Sequence, residues 1–206
     1  MRTWMLALWL TAAPAAASDL LDPPEERAPA PEAYKVRFET TAGPFTVLVV
    51  RDWAPNAADR FYELVQLDFY DDAAFFRVID GFVAQFGVHP DPQVAAAWRR
   101  AKLPDDPVLQ HNRKKWLSFA SAGPDSRTTQ VFVNLANNRS LDEHGFAPFA
   151  KVTSGWSTVK ALYSAYGEGA PRGAGPDQIR LQDEGNAYLK ANFPRIDYVI
   201  DAEIAD

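Results

Sequence analysis

The sequence predicts a mainly β protein in which many short antiparallel strands form a closed barrel capped by two α-helices. Aromatic residues make up 13% of the chain, which suits a β-rich interior. Sixteen prolines and eleven glycines favour many turns. Two amphipathic stripes at helical spacing stand among segments in which apolar and polar residues alternate. With 206 residues and 47% hydrophobic composition, the chain is long enough for one sizeable core.

The first predicted elements are a β-hairpin and a helix. Residues 36–40 alternate between apolar and polar, the turn Thr-Ala-Gly-Pro follows, and the alternation resumes over residues 45–49. Asn56 is a candidate N-cap for the helix that comes next. Apolar residues share one face of this helix, which we expect to end near Asp68.

The later elements are predicted with less regular spacing. Residues 88–115 form a long polar stretch with four prolines, which is typical of a loop insertion. The glycine-rich stretch 167–176 lacks the Lys-Ser/Thr ending of a phosphate-binding loop, so it indicates a turn and not a nucleotide site. The remaining predictions are a short helix over 94–101, an amphipathic helix over 155–166, a short helix over 184–192 and a closing strand over 196–204.

The N-terminus has the pattern of a signal peptide. Arg2 supplies a positive charge, a mostly apolar run reaches Ala13, and Pro-Ala-Ala-Ala ends at Ala17, after which we expect cleavage. The apolar run is short for a membrane span, although an uncleaved anchor is the alternative. The chain has no cysteine, which excludes a lipid-attachment cysteine and a disulfide framework.

These patterns predict one folded domain behind an export signal. We expect a signal peptide over 1–17, a flexible linker over 18–33 and a single domain over 34–206. Within the domain, a loop insertion lies near 88–115 and a C-terminal extension covers 167–206. The mature protein is expected in the periplasm or outside the cell, with no stable membrane insertion after signal cleavage.

Composition and spacing argue against several classes of function. The formal net charge is −6 and no basic block is long enough to follow a phosphate backbone, so nucleic acid is not an expected partner. His89, His111 and His144 are far apart in sequence, which predicts no metal site. No cofactor is expected. The Gly-x-Ser-x-Gly elbow of hydrolases is absent, which argues against hydrolysis.

Two apolar segments predict a groove that holds a peptide. Residues 75–87 read Phe-Phe-Arg-Val-Ile-Asp-Gly-Phe-Val-Ala-Gln-Phe-Gly, so Arg77 lies within a stretch that is otherwise suited to burial. A guanidinium cannot deprotonate to escape burial, so such an arginine usually has a partner or a task. Residues 118–134 have a similar character. If the two segments face one another, they form an apolar groove with one fixed cation and several amides.

Three motifs resemble those of the cyclophilins, the cyclosporin-type peptidyl-prolyl cis-trans isomerases. Residues 75–87 resemble the family's signature segment. Phe-Ala-Ser-Ala-Gly-Pro at 119–124, with Thr-Gln-Val-Phe-Val at 129–133, resembles the second motif, and the residues from Leu141 to Val152 resemble the third. The resemblance covers roughly 36–159. It implies a closed, eight-stranded antiparallel β-barrel capped by two α-helices, and we place the chain in a bacterial exported subgroup.

The resemblance also implies roles for individual residues. Arg77 corresponds to the catalytic arginine. The implied substrate-binding residues are the proline pocket of Phe82, Val83, Phe132, Leu141 and Phe146, the groove amides of Gln85 and Gln130, and the peptide-binding edge of Ala120 and Ser121. Three positions depart from the family pattern. Phe76 stands where many members have histidine, Ser140 stands in place of a tryptophan important for cyclosporin binding, and Phe146 matches the pocket histidine, which puts His144 outside the pocket.

The implied function is acceleration of X–Pro bond rotation in exported proteins, which assists their folding. The barrier to this rotation is about 18–20 kcal/mol, and an N–H donor aimed at the proline nitrogen lowers it by stabilising the twisted amide. Expected partners are proline-containing peptides and unfolded exported proteins, with cyclosporin as a weak ligand. The alternative is a non-catalytic chaperone module that binds proline peptides. A carbohydrate-binding barrel ranks last, because the sequence does not predict one flat aromatic face from Trp53, Trp98, Trp116 and Trp156.

Overall fold

The main feature of the fold is an eight-stranded antiparallel sheet that curls into a half-barrel. The computed structural model describes residues 20–24 and 28–205. The strands are β1 (Ala33–Thr40), β2 (Phe45–Val50), β3 (Arg77–Ile79), β4 (Val83–Phe86), β5 (Trp116–Phe119), β6 (Val131–Asn134), β7 (Pro148–Ser154) and β8 (Val199–Ala205). Their order across the sheet is β3-β4-β6-β5-β7-β2-β1-β8. The predicted β1–β2 hairpin is present, with Phe38 opposite Phe45.

The barrel is less completely closed than the sequence predicts. Strands β3 and β8 are the two edges of the sheet. They approach through the isolated bridge between Ala74 and Tyr198, where the Phe75 N–H donates to the Asp197 carbonyl at 2.9 Å. The mainly β, eight-stranded antiparallel prediction is therefore confirmed, whereas a short bridge takes the place of a continuous closing ladder.

Among the described residues, the two predicted capping helices and the two predicted short helices are present, together with one helix that was not predicted. The α-helices are α1 (Pro55–Gln66), α2 (Pro92–Trp98), α3 (Trp156–Ala161), α4 (Gln178–Glu184) and α5 (Asn186–Asn192), and short 3-10 turns cover Arg51–Trp53 and Arg139–His144. Helix α3 is shorter than predicted because Leu162 turns to an extended conformation. The N-cap prediction at Asn56 is wrong, since Ala54 takes that position. The Asp106 carboxylate instead accepts the N–H groups of Asn56 and Ala57, at 2.9 and 3.0 Å.

The predicted loop insertion at 88–115 is packed against the domain. It contains α2, whose N-terminus is capped by the Asp91 carboxylate through the Gln93 N–H at 2.7 Å. Trp98 at the end of α2 is fully buried. The segment also supplies Asp106, which caps α1 and pairs with the buried Arg127 at 2.9 Å. The segment therefore helps to build the core.

The structure describes only part of the predicted N-terminal segments. The predicted signal peptide, 1–17, lies outside the described residues. The described part of the predicted linker, 18–33, contacts the domain: the Trp98 indole N–H donates to the Leu20 carbonyl at 2.9 Å, and the Ala30 N–H donates to Asp59 at 2.9 Å. In the described part of the chain, no helix is both long enough and apolar enough to cross a membrane.

The buried apolar residues form two groups. The larger one lies between the sheet and α1 and includes Phe38, Phe61 and Phe86. The smaller one, here called the second cluster, consists of Ala74, Phe76, Val88, Ala95, Leu181, Tyr188, Leu189, Phe193 and Ile196. In this cluster, apolar side chains of α4 and α5 pack against Ala74 and Phe76, which lie just before β3. Phe76 is 2% exposed within it, which explains an apolar residue at this position in place of histidine.

Candidate active site

The site begins with a row of side chains across three neighbouring strands. Arg77 on β3 is the cross-strand partner of Gln85 on β4, and Gln85 is the partner of Phe132 on β6. Directly opposed residues in antiparallel strands project from the same face of the sheet. The adjacent row, which contains Ala84 and Val133, is buried on the core side. Alternation along three short strands therefore presents Arg77, Gln85 and Phe132 together on the outer face.

The Arg77 guanidinium lies in the groove and is bound there by an amide. Its Nη1 donates to Gln85 Oε1 at 3.1 Å, and Gln85 Nε2 donates to Gln130 Oε1 at 2.9 Å. The guanidinium carbon is 5.6 Å from the centre of the Phe82 ring. Gln85 is buried, which restricts the amide that binds Arg77.

Glu168 is a second partner of Arg77 that the sequence patterns did not indicate. Its carboxylate accepts from Arg77 Nε and Nη2, each at 2.7 Å, in a bidentate ion pair. These hydrogen bonds hold the pKa of Glu168 below its ordinary value, because they favour the ionised carboxylate. Three of the five guanidinium N–H groups thus have acceptors, and the other two have none among the described residues.

The residues of the predicted aromatic pocket lie near this cation. The Phe132 and Phe146 rings meet edge to face, with centroids 5.6 Å apart. Val83 is buried, whereas Phe82 and Leu141 remain partly exposed. Leu141 lies in the 3-10 turn Arg139–His144 and accepts the Phe146 N–H at 3.2 Å. The exposed His144 contacts the Ser140 carbonyl at 2.8 Å, and no ring contact joins it to Phe132.

A buried amide network supports the backbone of this pocket, and the sequence reasoning missed it. Asn138 Nδ2 donates to the Phe82 carbonyl at 2.8 Å and to Asn134 Oδ1 at 2.8 Å. Asn134 Nδ2 donates to Asn112 Oδ1 at 3.1 Å, and Asn112 Nδ2 donates to the Phe146 carbonyl at 2.8 Å. The network therefore links the backbone carbonyls of Phe82 and Phe146. Its members are up to 26 positions apart in the chain (138 minus 112), so no local motif reveals it.

Asp142 fixes one end of the network. Its carboxylate accepts both the backbone and side-chain N–H groups of Asn112, each at 2.8 Å, and contacts His111 at 2.9 Å. Burial raises the pKa of Asp142, but the bonds from Asn112 and His111 outweigh it and hold the pKa below the ordinary value. The carboxylate is therefore ionised at neutral pH.

The predicted peptide-binding edge lines two cavities that flank Gln85. Ala120, Ser121 and Gln130 border one of about 400 Å³, together with Arg99 and Lys102. In the other, of about 330 Å³, Ser121 faces Arg77 and Glu168. The Ala120 N–H already donates to the Gln130 carbonyl at 2.9 Å.

The chemistry of the site is that of a cation beside apolar aromatic side chains. Within residues 20–24 and 28–205, no group of three or more His, Cys, Asp and Glu is placed to hold a metal ion. The structure brings Arg77, Phe82, Gln85, Gln130 and Phe132 together through the contacts above. Such a site can grip an apolar ring and direct N–H groups at a neighbouring amide.

Comparison with known proteins points to one family. Residues 35–181 match the family described as cyclophilin type peptidyl-prolyl cis-trans isomerase/CLD. The chain is 32% identical over 145 residues to the peptidyl-prolyl cis-trans isomerase CYP18-2 of Arabidopsis thaliana, covering 67% of this chain and 85% of that protein. It is 34% identical over 132 residues to the peptidyl-prolyl cis-trans isomerase-like 1 of Gibberella zeae, covering 61% and 78%.

Solved structures agree on the fold. A crystal structure of a Cryptosporidium parvum cyclophilin type peptidyl-prolyl cis-trans isomerase superposes with a TM-score of 0.63 at 19% identity, covering 84% of this chain and 98% of that one. A second structure, of the same protein in the presence of the dipeptide Ala-Pro, gives a TM-score of 0.62 at 19% identity, with coverage of 84% and 99%. At this level of identity the likeness concerns the fold alone.

Proposed function

The chain belongs to the cyclophilin-type peptidyl-prolyl cis-trans isomerase family, and from this premise we propose that it isomerises X–Pro bonds with Arg77 as the catalytic residue. The observation that carries the proposal is the position of the Arg77 guanidinium. It lies 5.6 Å from the Phe82 ring and keeps two N–H groups without acceptors among the described residues. Those groups are available to a prolyl peptide bound across the pocket.

The energetic demand on the site is moderate. Uncatalysed X–Pro isomerisation takes tens to hundreds of seconds, and shortening it to milliseconds needs about 10⁴–10⁵-fold acceleration, or about 5.5–7 kcal/mol. In the twisted amide, resonance is lost and the proline nitrogen regains a basic lone pair. A fixed N–H donor stabilises this state more than the planar one, which lowers the barrier without a covalent intermediate.

The aromatic pocket supplies binding and exclusion of water. The Phe132 and Phe146 rings pack edge to face, and the buried Gln85 binds the Arg77 guanidinium. The apolar proline ring would fill the pocket, and the loss of water would strengthen the field of the guanidinium. In this mechanism the proline ring stays clamped while the preceding carbonyl rotates.

We further propose that the substrates are unfolded exported proteins, within a bacterial exported subgroup of the family. The support is residues 1–17, whose positive start, apolar run and Ala-x-Ala ending are typical of a cleaved signal peptide. The proposed location is therefore periplasmic or extracellular. Weak cyclosporin binding is a further proposal, supported by Ser140 at the position of the family's tryptophan. Mass spectrometry of the mature chain tests the location, because Met1 at its N-terminus would contradict export with cleavage.

The test compares wild-type protein with the Arg77→Ala variant in a protease-coupled assay on a short X–Pro peptide. We expect a loss of about 100-fold or more in kcat/KM, the range seen when one transition-state donor is removed. Peptide affinity, measured by calorimetry, should change little because the pocket is retained. Arg37→Ala is the matched control, since Arg37 forms ion pairs with Glu39 on β1 and Glu203 on β8 and is not part of the groove.

Each result of this test has a distinct meaning. Wild-type turnover by the Arg77→Ala variant would reject Arg77 as the catalytic residue. A wild-type protein that binds the peptide without accelerating its isomerisation would instead support the non-catalytic chaperone module.

A further inference from the structure

We infer that Glu168 is a positioning residue for Arg77: its carboxylate fixes the guanidinium in the orientation that turnover requires. The inference rests on the proposed function and names a residue of that same site. It starts from the bidentate pair, in which Arg77 Nε and Nη2 each lie 2.7 Å from a Glu168 oxygen. Glu168 belongs to the glycine-rich stretch 167–176, outside the three motifs that predict the groove.

Two contacts on different edges determine the guanidinium plane. Gln85 binds Nη1 from the neighbouring strand, and Glu168 binds the Nε–Nη2 edge from the loop. An arginine side chain has many rotamers, so a single amide contact leaves much of its conformational freedom. The parallel bonds of an Arg–carboxylate pair add geometric specificity as well as energy. Together the two partners restrict both the position and the tilt of the donors.

Glu168 leaves some of the N–H donors of Arg77 available to a substrate. Two guanidinium N–H groups remain without acceptors among the described residues. The pair is also partly shielded, because the two side chains are 22% and 32% exposed. A partly shielded carboxylate that leaves donors of Arg77 available can orient the guanidinium without blocking its contact with a substrate.

The loop is built around Glu168. The Gly169 N–H donates to Glu168 Oε1 at 3.0 Å, and the Gly175 N–H donates to the Glu168 carbonyl at 2.9 Å. A Cβ at Gly173 would lie 2.2 Å from that carbonyl oxygen, so only glycine permits the approach. The glycines of this stretch therefore hold the carboxylate in one place.

Both ends of the loop are attached to the second cluster. Tyr166, just before it, packs edge to face on Phe193 with ring centroids 5.0 Å apart. Asp177, just after it, donates its N–H to the Tyr188 hydroxyl at 3.0 Å. The C-terminal extension therefore fastens Glu168 to the same apolar cluster that contains Phe76, the neighbour of Arg77.

The experiment measures kcat and KM of full-length wild-type protein and two variants on a short X–Pro peptide. Glu168→Gln keeps the size of the side chain but replaces one acceptor oxygen with an NH₂ group. We expect kcat to fall by about 10-fold or more, since misplaced catalytic groups lose rate steeply, with KM within twofold of wild type. Glu168→Asp keeps the charge on a shorter side chain, and its kcat should lie between the other two.

A matched control lies on the same extension. Glu184 accepts from Arg180 Nε at 2.7 Å and from Nη2 at 3.1 Å, which is the same bidentate geometry at an exposed site on α4. Glu184→Gln should leave kcat and KM unchanged. An equal fall in kcat for this control would show a general effect of the extension and overturn the inference.

The outcomes separate the inference from the proposed function. If the wild-type protein is active and Glu168→Gln has an unchanged or higher kcat, the positioning role is overturned and the proposed isomerase activity still stands. A rise in KM alone would also overturn it, because the residue would then bind substrate. A wild-type protein without turnover would overturn the proposed function and the inference with it.

Discussion

Replacing Asn112 with alanine should destabilise the domain more than any other single asparagine change near the groove. The Asn112 side chain is fully buried and takes part in four hydrogen bonds. It donates to Asp142 Oδ1 and to the Phe146 carbonyl, each at 2.8 Å. It accepts from Ser118 Oγ at 2.8 Å and from Asn134 Nδ2 at 3.1 Å.

The size of the effect follows from these partners. A buried neutral hydrogen bond contributes about 1 kcal/mol net and one to a charged group about 1.5–3 kcal/mol, so three neutral bonds and the one to Asp142 sum to about 4.5–6 kcal/mol. Ser118 and Asn134 are themselves fully buried, so water cannot easily replace the lost partner. A loss of this size is about half of the total stability of a domain whose free energy of unfolding lies in the middle of the usual range of about 5–15 kcal/mol.

The assay is urea-induced unfolding followed by tryptophan fluorescence, with peptide KM measured on the folded protein. The urea midpoint of Asn112→Ala should fall by the equivalent of about 5 kcal/mol in the free energy of unfolding. KM should rise because the Phe146 carbonyl loses its anchor. The control is Asn137→Ala, since the exposed Asn137 accepts a single bond from the Lys114 N–H at 3.0 Å. If both variants lose equally little stability, the network does not support the pocket as described.

Two further substitutions test the second cluster and an acidic surface. Phe76→His introduces the residue that many family members carry at this position. We expect it to destabilise the domain by about 2–4 kcal/mol, because the imidazole would enter an apolar cluster. Limited proteolysis within 167–196 should become faster, and an unchanged rate of proteolysis would contradict this packing. Burial, with the nearby Asp201 and Asp68, raises the pKa of Asp71 from 3.8 to about 6. Because ionised Asp71 is less favourable in the folded than in the unfolded protein, its contribution to folding stability is fully present below pH 3.8 and is lost as the pH rises through about 6. Asp71→Asn should stabilise the protein by about 1 kcal/mol at pH 8, after allowance for solvent screening, and not at pH 3.5; an equal gain at both values would contradict the assignment.

The groove could be predicted from the sequence because its residues lie in short, recognisable segments. Arg77 and Gln85 are eight positions apart and face each other across β3 and β4. Phe132 follows on the next strand of the sheet. The segment 75–87 contains both strands of this hairpin and their alternating pattern. It therefore predicts that Arg77 and Gln85 lie side by side on one face.

Glu168 could not be predicted in the same way, because its contact with Arg77 spans 91 positions. Neither alternation nor helical spacing describes a loop, so the glycine-rich stretch indicated only a turn. The pairing depends on the second cluster, which forms only when α4 and α5 pack beside Phe76. Contacts of this kind come from tertiary packing, and local patterns do not contain them.

The extension also contains a helix that periodicity did not reveal. The short helix predicted over 184–192 is present as α5, whereas α4 was not predicted and is separated from α5 by Gly185. Gly185 has a positive φ of 62°, and a Cβ there would lie 2.1 Å from the Pro90 carbonyl oxygen. The break thus comes from a close approach to the segment that leads into α2, which the apolar spacing cannot reveal.

Magnetisation-exchange NMR on a short X–Pro peptide tests the central claim most directly. A catalytic amount of the full-length protein should produce exchange between the cis and trans resonances on a millisecond to second scale, while the peptide alone exchanges over tens to hundreds of seconds. The same amount of Arg77→Ala protein should leave the peptide near its uncatalysed rate. Wild-type protein that binds the peptide and leaves its exchange rate unchanged would contradict the account.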